Sequence, residues 1–348
     1  MEKPKPNFEN LLKVLRCEQP EKPVLFELYL NQSLYERLAG RKLPDDSRLE
    51  AVRLAVDGFA AAGYDYATTH LNEFHFRILH NQAVVPEKAA ENTATKSLNE
   101  NTVITDWASF EAFKWPEPGD FDCSHLEKIN EFMPDGMKLM VMGPGGVLEN
   151  VTALTGFENL CYMFYEEPEL AERLFYEVGS RMLKYYQLAV QFKSVGLISS
   201  NDDWGYKSQT FFSSDIMRKY VFPWHKKIVE TAHNAGIPAI LHSCGYMDGV
   251  MEDIITDMKF DGKHSYEDNI LPVEKSYERW GGRIAVLGGI DVDFLIRSSE
   301  EQIRQRCENM LSVSSRKGGY ALGSGNSIPE YIPFEKYEAM IEIARRDI

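Results

Sequence analysis

The chain has 348 residues, of which 38 are basic and 53 acidic for a formal net charge of −15, and 44% are hydrophobic and 12% aromatic. That composition can bury a substantial core, and with no basic tract to offset the acidity it argues against nucleic acid and anionic membrane as partners. No apolar run reaches the length of a bilayer span, the start MEKPKPNFEN has no apolar leader core, and the five cysteines (17, 123, 161, 244 and 307) form neither a CxxC nor a regular framework, which reads as a reduced, cytoplasmic protein.

From the N terminus on, short β-rich runs alternate with helical patterns. PVLFELYL (23–30) is the first strand run, and SRLEAVRLAVDGFAAAG (47–63) is a helix capped by Ser47 and ended by Gly63. YDYATTHL (64–71) is the second strand. Arg77 to Gly136 is an irregular insertion, whose stretch VPEKAAENTATKSLNENTVITDWASF (85–110) is expected to form a hairpin and loops over one barrel mouth. KLMVMGPGG (138–146) is the third strand, followed by a long helical pattern over 166–196 and VGLISSNDD (195–203) as the fourth. A further helix covers 213–236, with Pro223 expected to kink or split it. PAILHSCG (238–245), FDGKHSYED (260–268), RIAVLGGID (283–291) and GGYALGSGN (318–326) complete eight runs.

Eight alternations predict an α/β fold, a (β/α)8 TIM barrel with the insertion between strands two and three, although a doubly wound sheet would alternate too. No repeat or linker interrupts residues 1–348, so one domain is expected. Active sites of such barrels lie at the carboxyl ends of the strands. Those ends carry Glu27 and Tyr29, His70 and Asn72, Asp202, Asp203, Trp204 and Tyr206, then His242 and Cys244, His264 and Glu267, Asp291, and Ser324 and Asn326.

In AILHSCGYMDG (239–249), His242 and Cys244 are two apart and share one side of an extended strand. A metal site, a catalytic pair and the plain end of a buried strand all remain open. Of the adjacent Asp202 and Asp203 only one can face a cavity, where a carboxylate would line the substrate. His70 suits a structural role as well as a functional one. His264 and Glu267 have opposite parity, so Glu267 reaches a shared site only from the loop beyond the strand.

The segments SSDIMRKYVFPWHKKIVETAHNAGIPAILHSCG, RIAVLGGIDV and GGYALGSGNSIPEYIPFEKYEAM carry a further signal. From about Gly143 to the C terminus the chain resembles the uroporphyrinogen decarboxylase superfamily. One branch of it removes acetate carboxyls of uroporphyrinogen without a cofactor; the other contains zinc-dependent methyltransferases that move a methyl group from a corrinoid protein to a thiol. The decarboxylase branch has an arginine-bearing N-terminal segment, and here Arg37 and Arg41 stand in ELYLNQSLYERLAGRKLPDD without that motif. Its catalytic Asp falls at Asn72, and its strand-eight His at Ser324. An amide cannot do the work of that carboxylate.

In the methyltransferase branch, zinc is bound by a His-x-Cys matched by His242 and Cys244, and by a Glu matched by Glu267. The remaining ligand, a Cys in the strand-eight turn, falls at Asn326; its replacement would come from His70, His264, the Asp202–Asp203 pair or the substrate. The resemblance thus implies a methyltransferase with His242, Cys244 and Glu267 on zinc and a corrinoid held by a partner protein. Asp202, Asp203 and His70 are the catalytic candidates. Glu27, Tyr29, Asn72, Trp204, Tyr206, His264, Asp291, Ser324 and Asn326 are the substrate-lining ones. The alternatives are a decarboxylase of uroporphyrinogen or a related acid, and a metal-free barrel that binds a corrinoid or small ligand. A homodimer is compatible with each.

Overall fold

The computed structural model describes residues 5–76 and 102–345. Among them, β1 (Tyr66–His70), β2 (Lys138–Met142), β3 (Val195–Asn201), β4 (Ala239–His242), β5 (Gly262–His264), β6 (Ala285–Leu287) and β7 (Tyr320–Ala321) form one sheet in sequential order. Every ladder is parallel. The result is a TIM-like α/β arrangement with helices in the connections. Leu139, Met140 and Val141 of β2 and Ala239, Ile240 and Leu241 of β4 are all fully buried. Strands covered on both faces read as continuous apolar runs rather than alternating ones.

The first strand run of the sequence forms isolated bridges instead of a ladder. Leu25 pairs with Leu322 and Leu30 with Ile328, both parallel, which lays 24–30 along the outer edge of β7. On its other side the Tyr66 hydroxyl, from β1, bonds the Glu27 N–H at 2.8 Å and carbonyl at 2.5 Å.

The helix Arg48–Ala62 has the ends its sequence predicts, with Ser47 accepting from Glu50 N at 3.4 Å and Gly63 in the left-handed region at φ 91°. In the helix Pro168–Ala189, two tyrosines satisfy carbonyls of β2 and β3: Tyr185 donates to Met142 O at 2.8 Å and Tyr186 to Ser199 O at 2.7 Å. Pro223 splits its helical segment. A π-helical turn, Met217–Val221, precedes the regular helix Phe222–Asn234, because proline offers no N–H to the preceding turn and its ring crowds that turn's carbonyl.

Of the insertion, residues 102–136 are described and contain short helices, including Trp107–Ala112 and His125–Lys128; most of the expected hairpin at 85–110 lies outside the described residues. Among those residues no helix is long and apolar enough to cross a membrane, and all five cysteines are free thiols.

Candidate metal centre

Strand register builds the site. Asn201 of β3 pairs with His242 of β4, and His242 with His264 of β5. The ladder runs on past the strand ends through Asp202 N to His242 O at 2.9 Å and Ser243 N to His264 O at 2.8 Å. Two residues beyond the Asn201–His242 rung, Asp203 therefore stands beside Cys244, whose N–H donates to Asp203 Oδ1 at 2.9 Å. Gly245 then turns the chain at φ 94°, where a Cβ would lie 2.3 Å from the Gly205 backbone. Among the described residues, Asp203, His242 and Cys244 are the group whose His, Cys and carboxylate donor atoms all lie within 4.8 Å of one another.

A chain of hydrogen bonds sets the tautomers. His264 Nε2 lies 3.1 Å from the Ser324 carbonyl, which can only accept, so Nε2 carries the proton. Burial holds His264 far below the ordinary histidine range, so the ring is neutral and its Nδ1 is bare. His242 Nδ1, at 2.8 Å, must then donate to it. Burial, with the charge of Lys263, pushes His242 down to about 3, leaving its Nε2 with a free lone pair 3.9 Å from Cys244 Sγ. A ligating imidazole needs this arrangement, with one nitrogen anchored and the other open.

Burial shifts the surrounding thiol and carboxyl groups upward. Burial and the neighbouring Asp203 carboxylate push the Cys244 thiol up to about 12. Asp203 is itself raised by burial. Burial and the charges of Asp202 and Asp203 lift Glu149 to about 8. The Asn326 amide nitrogen approaches Cys244 Sγ to 3.5 Å and the Ser265 hydroxyl lies 3.7 Å from it. Asn326 thus stands next to the sulfur without offering a thiolate of its own.

Other expected residues are placed elsewhere. Glu267 does not join the group; it lies three residues beyond the end of β5 at His264 and lines a neighbouring cavity with Lys263, Ser265 and Tyr266. Asp202 points from the site to the first turn of the helix Val147–Thr155, accepting from Leu148 N at 2.9 Å and Glu149 N at 3.0 Å. Asn72 is a clamp, donating to Pro118 O at 2.9 Å and accepting from Phe74 N at 3.0 Å. Asp291 caps the helix Val292–Arg297, and Trp204 is buried against Phe222 and His225. Glu27 is enclosed and grips Ser324. His70 Nδ1 faces Met142 O at 3.3 Å, while Tyr29 and Tyr206 are exposed. His264 supports His242 from behind. Glu149 was not legible as a site residue: its signal, a Glu three after Gly146, is that of a helix capping box.

The donor set suits a metal ion. One bare imidazole nitrogen, one sulfur and one carboxylate converge, the combination preferred by zinc, and a cation there would offset the burial that keeps Cys244 protonated and raises Asp203.

Comparison with known proteins gives three findings. The family model described as uroporphyrinogen decarboxylase (URO-D) matches residues 124–346. A uroporphyrinogen decarboxylase of Myxococcus xanthus is 25% identical over 165 residues, 47% of this chain and 44% of that protein, so the chain spans about half the length of the curated relative it matches. Among solved structures, a methyltransferase from Methanosarcina mazei superposes over 97% of both chains with a TM-score of 0.70 at 16% identity. That likeness establishes the fold.

Proposed function

We propose that this chain, which belongs to the uroporphyrinogen decarboxylase family, is a methyltransferase that binds zinc on Asp203, His242 and Cys244 and methylates a small thiol or similar acceptor. The donor of the methyl group in this reading is a corrinoid carried by a partner protein. The observation that carries the proposal is the convergence of those three donors with the Ser324–His264–His242 relay behind them. The same reading takes residues 1–348 as one (β/α)8 barrel, with 24–30 as the staff between β7 and β1.

Each residue has a defined task. His264 holds the His242 ring in one tautomer and one orientation. Asp203 orients the Cys244 backbone and supplies an oxygen ligand. Glu149 keeps a proton beside Asp203 at neutral pH. Bound zinc would lower the pKa of an acceptor thiol so that it is present as thiolate at pH 7.

The decarboxylase reading has weaker support. Asn72 has both ends of its amide engaged by backbone. Arg41 pairs with Asp57 at 2.8 Å, and Arg37 stacks on Phe334 beside Glu335, so both arginines are engaged by groups of this chain.

Zinc content separates the readings. Elemental analysis after reconstitution is expected to give about one zinc per chain in the wild type and in Glu267→Gln, and much less in Asp203→Asn and Cys244→Ser. Loading should release a proton from Cys244, read by titration at constant pH. With methylcobalamin and a thiol, methyl transfer should follow the zinc. Equal zinc in all four proteins would refute the ligand set.

A further inference from the structure

The cavity that Glu267 lines, of about 30 Å³, is walled also by Lys263, Ser265, Tyr266, Met251, Ile270 and Trp280. Lys263 is the middle residue of β5 (Gly262–His264), so its side chain leaves the strand opposite His264. It is 3% exposed, and its ammonium donates to Ser265 O at 2.7 Å and Ser243 O at 3.4 Å. It sits 4.4 Å above the Tyr266 ring. Among the described residues no carboxylate forms an ion pair with it; Asp203 and Glu267 act on it only at a distance.

Tyr266 is equally incomplete, with a buried hydroxyl that has no hydrogen-bond partner among the described residues. A buried ammonium without a counter-ion and a buried phenol without a hydrogen-bond partner, on two residues that line one cavity, are each unfavourable, and one ligand could relieve both. Neither belongs to the Asp203–His242–Cys244 group.

We propose that this cavity binds the carboxylate head of a short aliphatic acid, with Lys263 supplying the charge and Tyr266 a hydroxyl donor. The size fits, since about 30 Å³ holds about two water-sized groups, the two oxygens of a carboxylate. Met251, Ile270 and Trp280 offer an apolar wall for a short chain. The two acidic residues on the wall disfavour a multiply charged anion more than a monoanion. Asp248 is neutralised by Arg279 at 2.5 Å, whereas the Glu267 carboxylate would repel a multiply charged phosphate. Lys263 also bonds the carbonyl of Ser243, between His242 and Cys244, so occupancy would be felt at the metal centre. The inference goes beyond the methyltransferase reading and stands whether or not zinc binds.

Butyrate titration of the full chain, followed by tryptophan fluorescence, tests it, with Trp280→Phe identifying the reporter. Saturable quenching is expected in the wild type. Butyramide should bind at least about tenfold more weakly, and Lys263→Met should weaken butyrate binding by about tenfold or more. Tyr266→Phe, which keeps the ring, should weaken it roughly fivefold and carries the test if Lys263→Met does not fold. No saturable butyrate binding, equal binding of butyrate and butyramide, or unchanged binding in Tyr266→Phe would overturn the proposal. Tighter binding of inorganic phosphate than of butyrate would also overturn it. Zinc measured in the same samples keeps this outcome separate from that of the metal centre.

Discussion

At the scale of single residues, Glu27 has the clearest thermodynamic consequence. Its two oxygens meet Ser324 N at 2.7 Å and Ser324 Oγ at 2.6 Å. The Ser324 hydroxyl also lies 2.9 Å from Asn326 O, and one proton cannot serve both. Asn326 O can only accept, so with the hydroxyl proton there Glu27 carries its own proton and donates it to Ser324 Oγ. Burial pushing Glu27 up to about 8 leads to the same protonation state. A folded pKa above the unfolded value means the group's stabilisation is complete below the unfolded pKa, near 4.3, and is lost as pH rises through the folded one. Between about pH 5 and 8 the wild type should lose up to about 1.4 kcal/mol per pH unit on this account. Glu27→Gln retains a donor and an acceptor but does not titrate. Its stability relative to the wild type should therefore improve by a few kcal/mol between about pH 5 and about pH 8.5, measured by urea denaturation at both values. A pH-independent difference would mean that Glu27 is ionised in the fold.

At the scale of elements, adjacent carboxylates have separate duties because β3 ends at Asn201, just before them, and neighbouring side chains leave the extended chain on opposite sides. Asp202 turns to the helix Val147–Thr155, where Gly146 leaves it room; a Cβ there would sit 2.1 Å from the carboxylate. It also meets His225 Nε2 at 2.9 Å, and His225 Nδ1 meets Ser200 Oγ at 2.9 Å. Asp202→Ala removes two helix N-terminal bonds and leaves His225 Nε2 without its partner in the core, a loss of about 2–4 kcal/mol. It should melt at lower temperature while keeping its zinc. Asp203→Asn should show the opposite pattern, with little loss of melting temperature and much less zinc. Thermal melts beside elemental analysis of the two variants check the pair.

At the scale of the whole molecule, the acidic balance and the engaged arginines bear on the substrate. A net charge of −15 repels a polycarboxylate tetrapyrrole at long range. Within the barrel Asn72 is spent on Pro118. An anaerobic assay with uroporphyrinogen is expected to yield no coproporphyrinogen at ordinary enzymic rates, on the order of one event per second. Product at such a rate would restore the decarboxylase reading.

What the sequence determined by itself were the features that depend on near neighbours. Alternating apolar runs and helical patterns locate the seven paired strands, the caps Ser47 and Gly63, and the break at Pro223, since each arises from local periodicity or from one residue's backbone chemistry. The His-x-Cys spacing places His242 and Cys244 on one strand side for the same reason. Only the tertiary structure decided their partner. Asp203 rather than Glu267 stands beside Cys244 because the Asn201–His242 register carries the β3 end alongside the β4 end, whereas β5 stops at His264 and Glu267, three residues on, lines the neighbouring cavity. The raised protonation of Glu27 and Glu149, and the unpaired ammonium of Lys263, were equally illegible in sequence. Each follows from burial by distant segments, and desolvation is a property of the packed molecule.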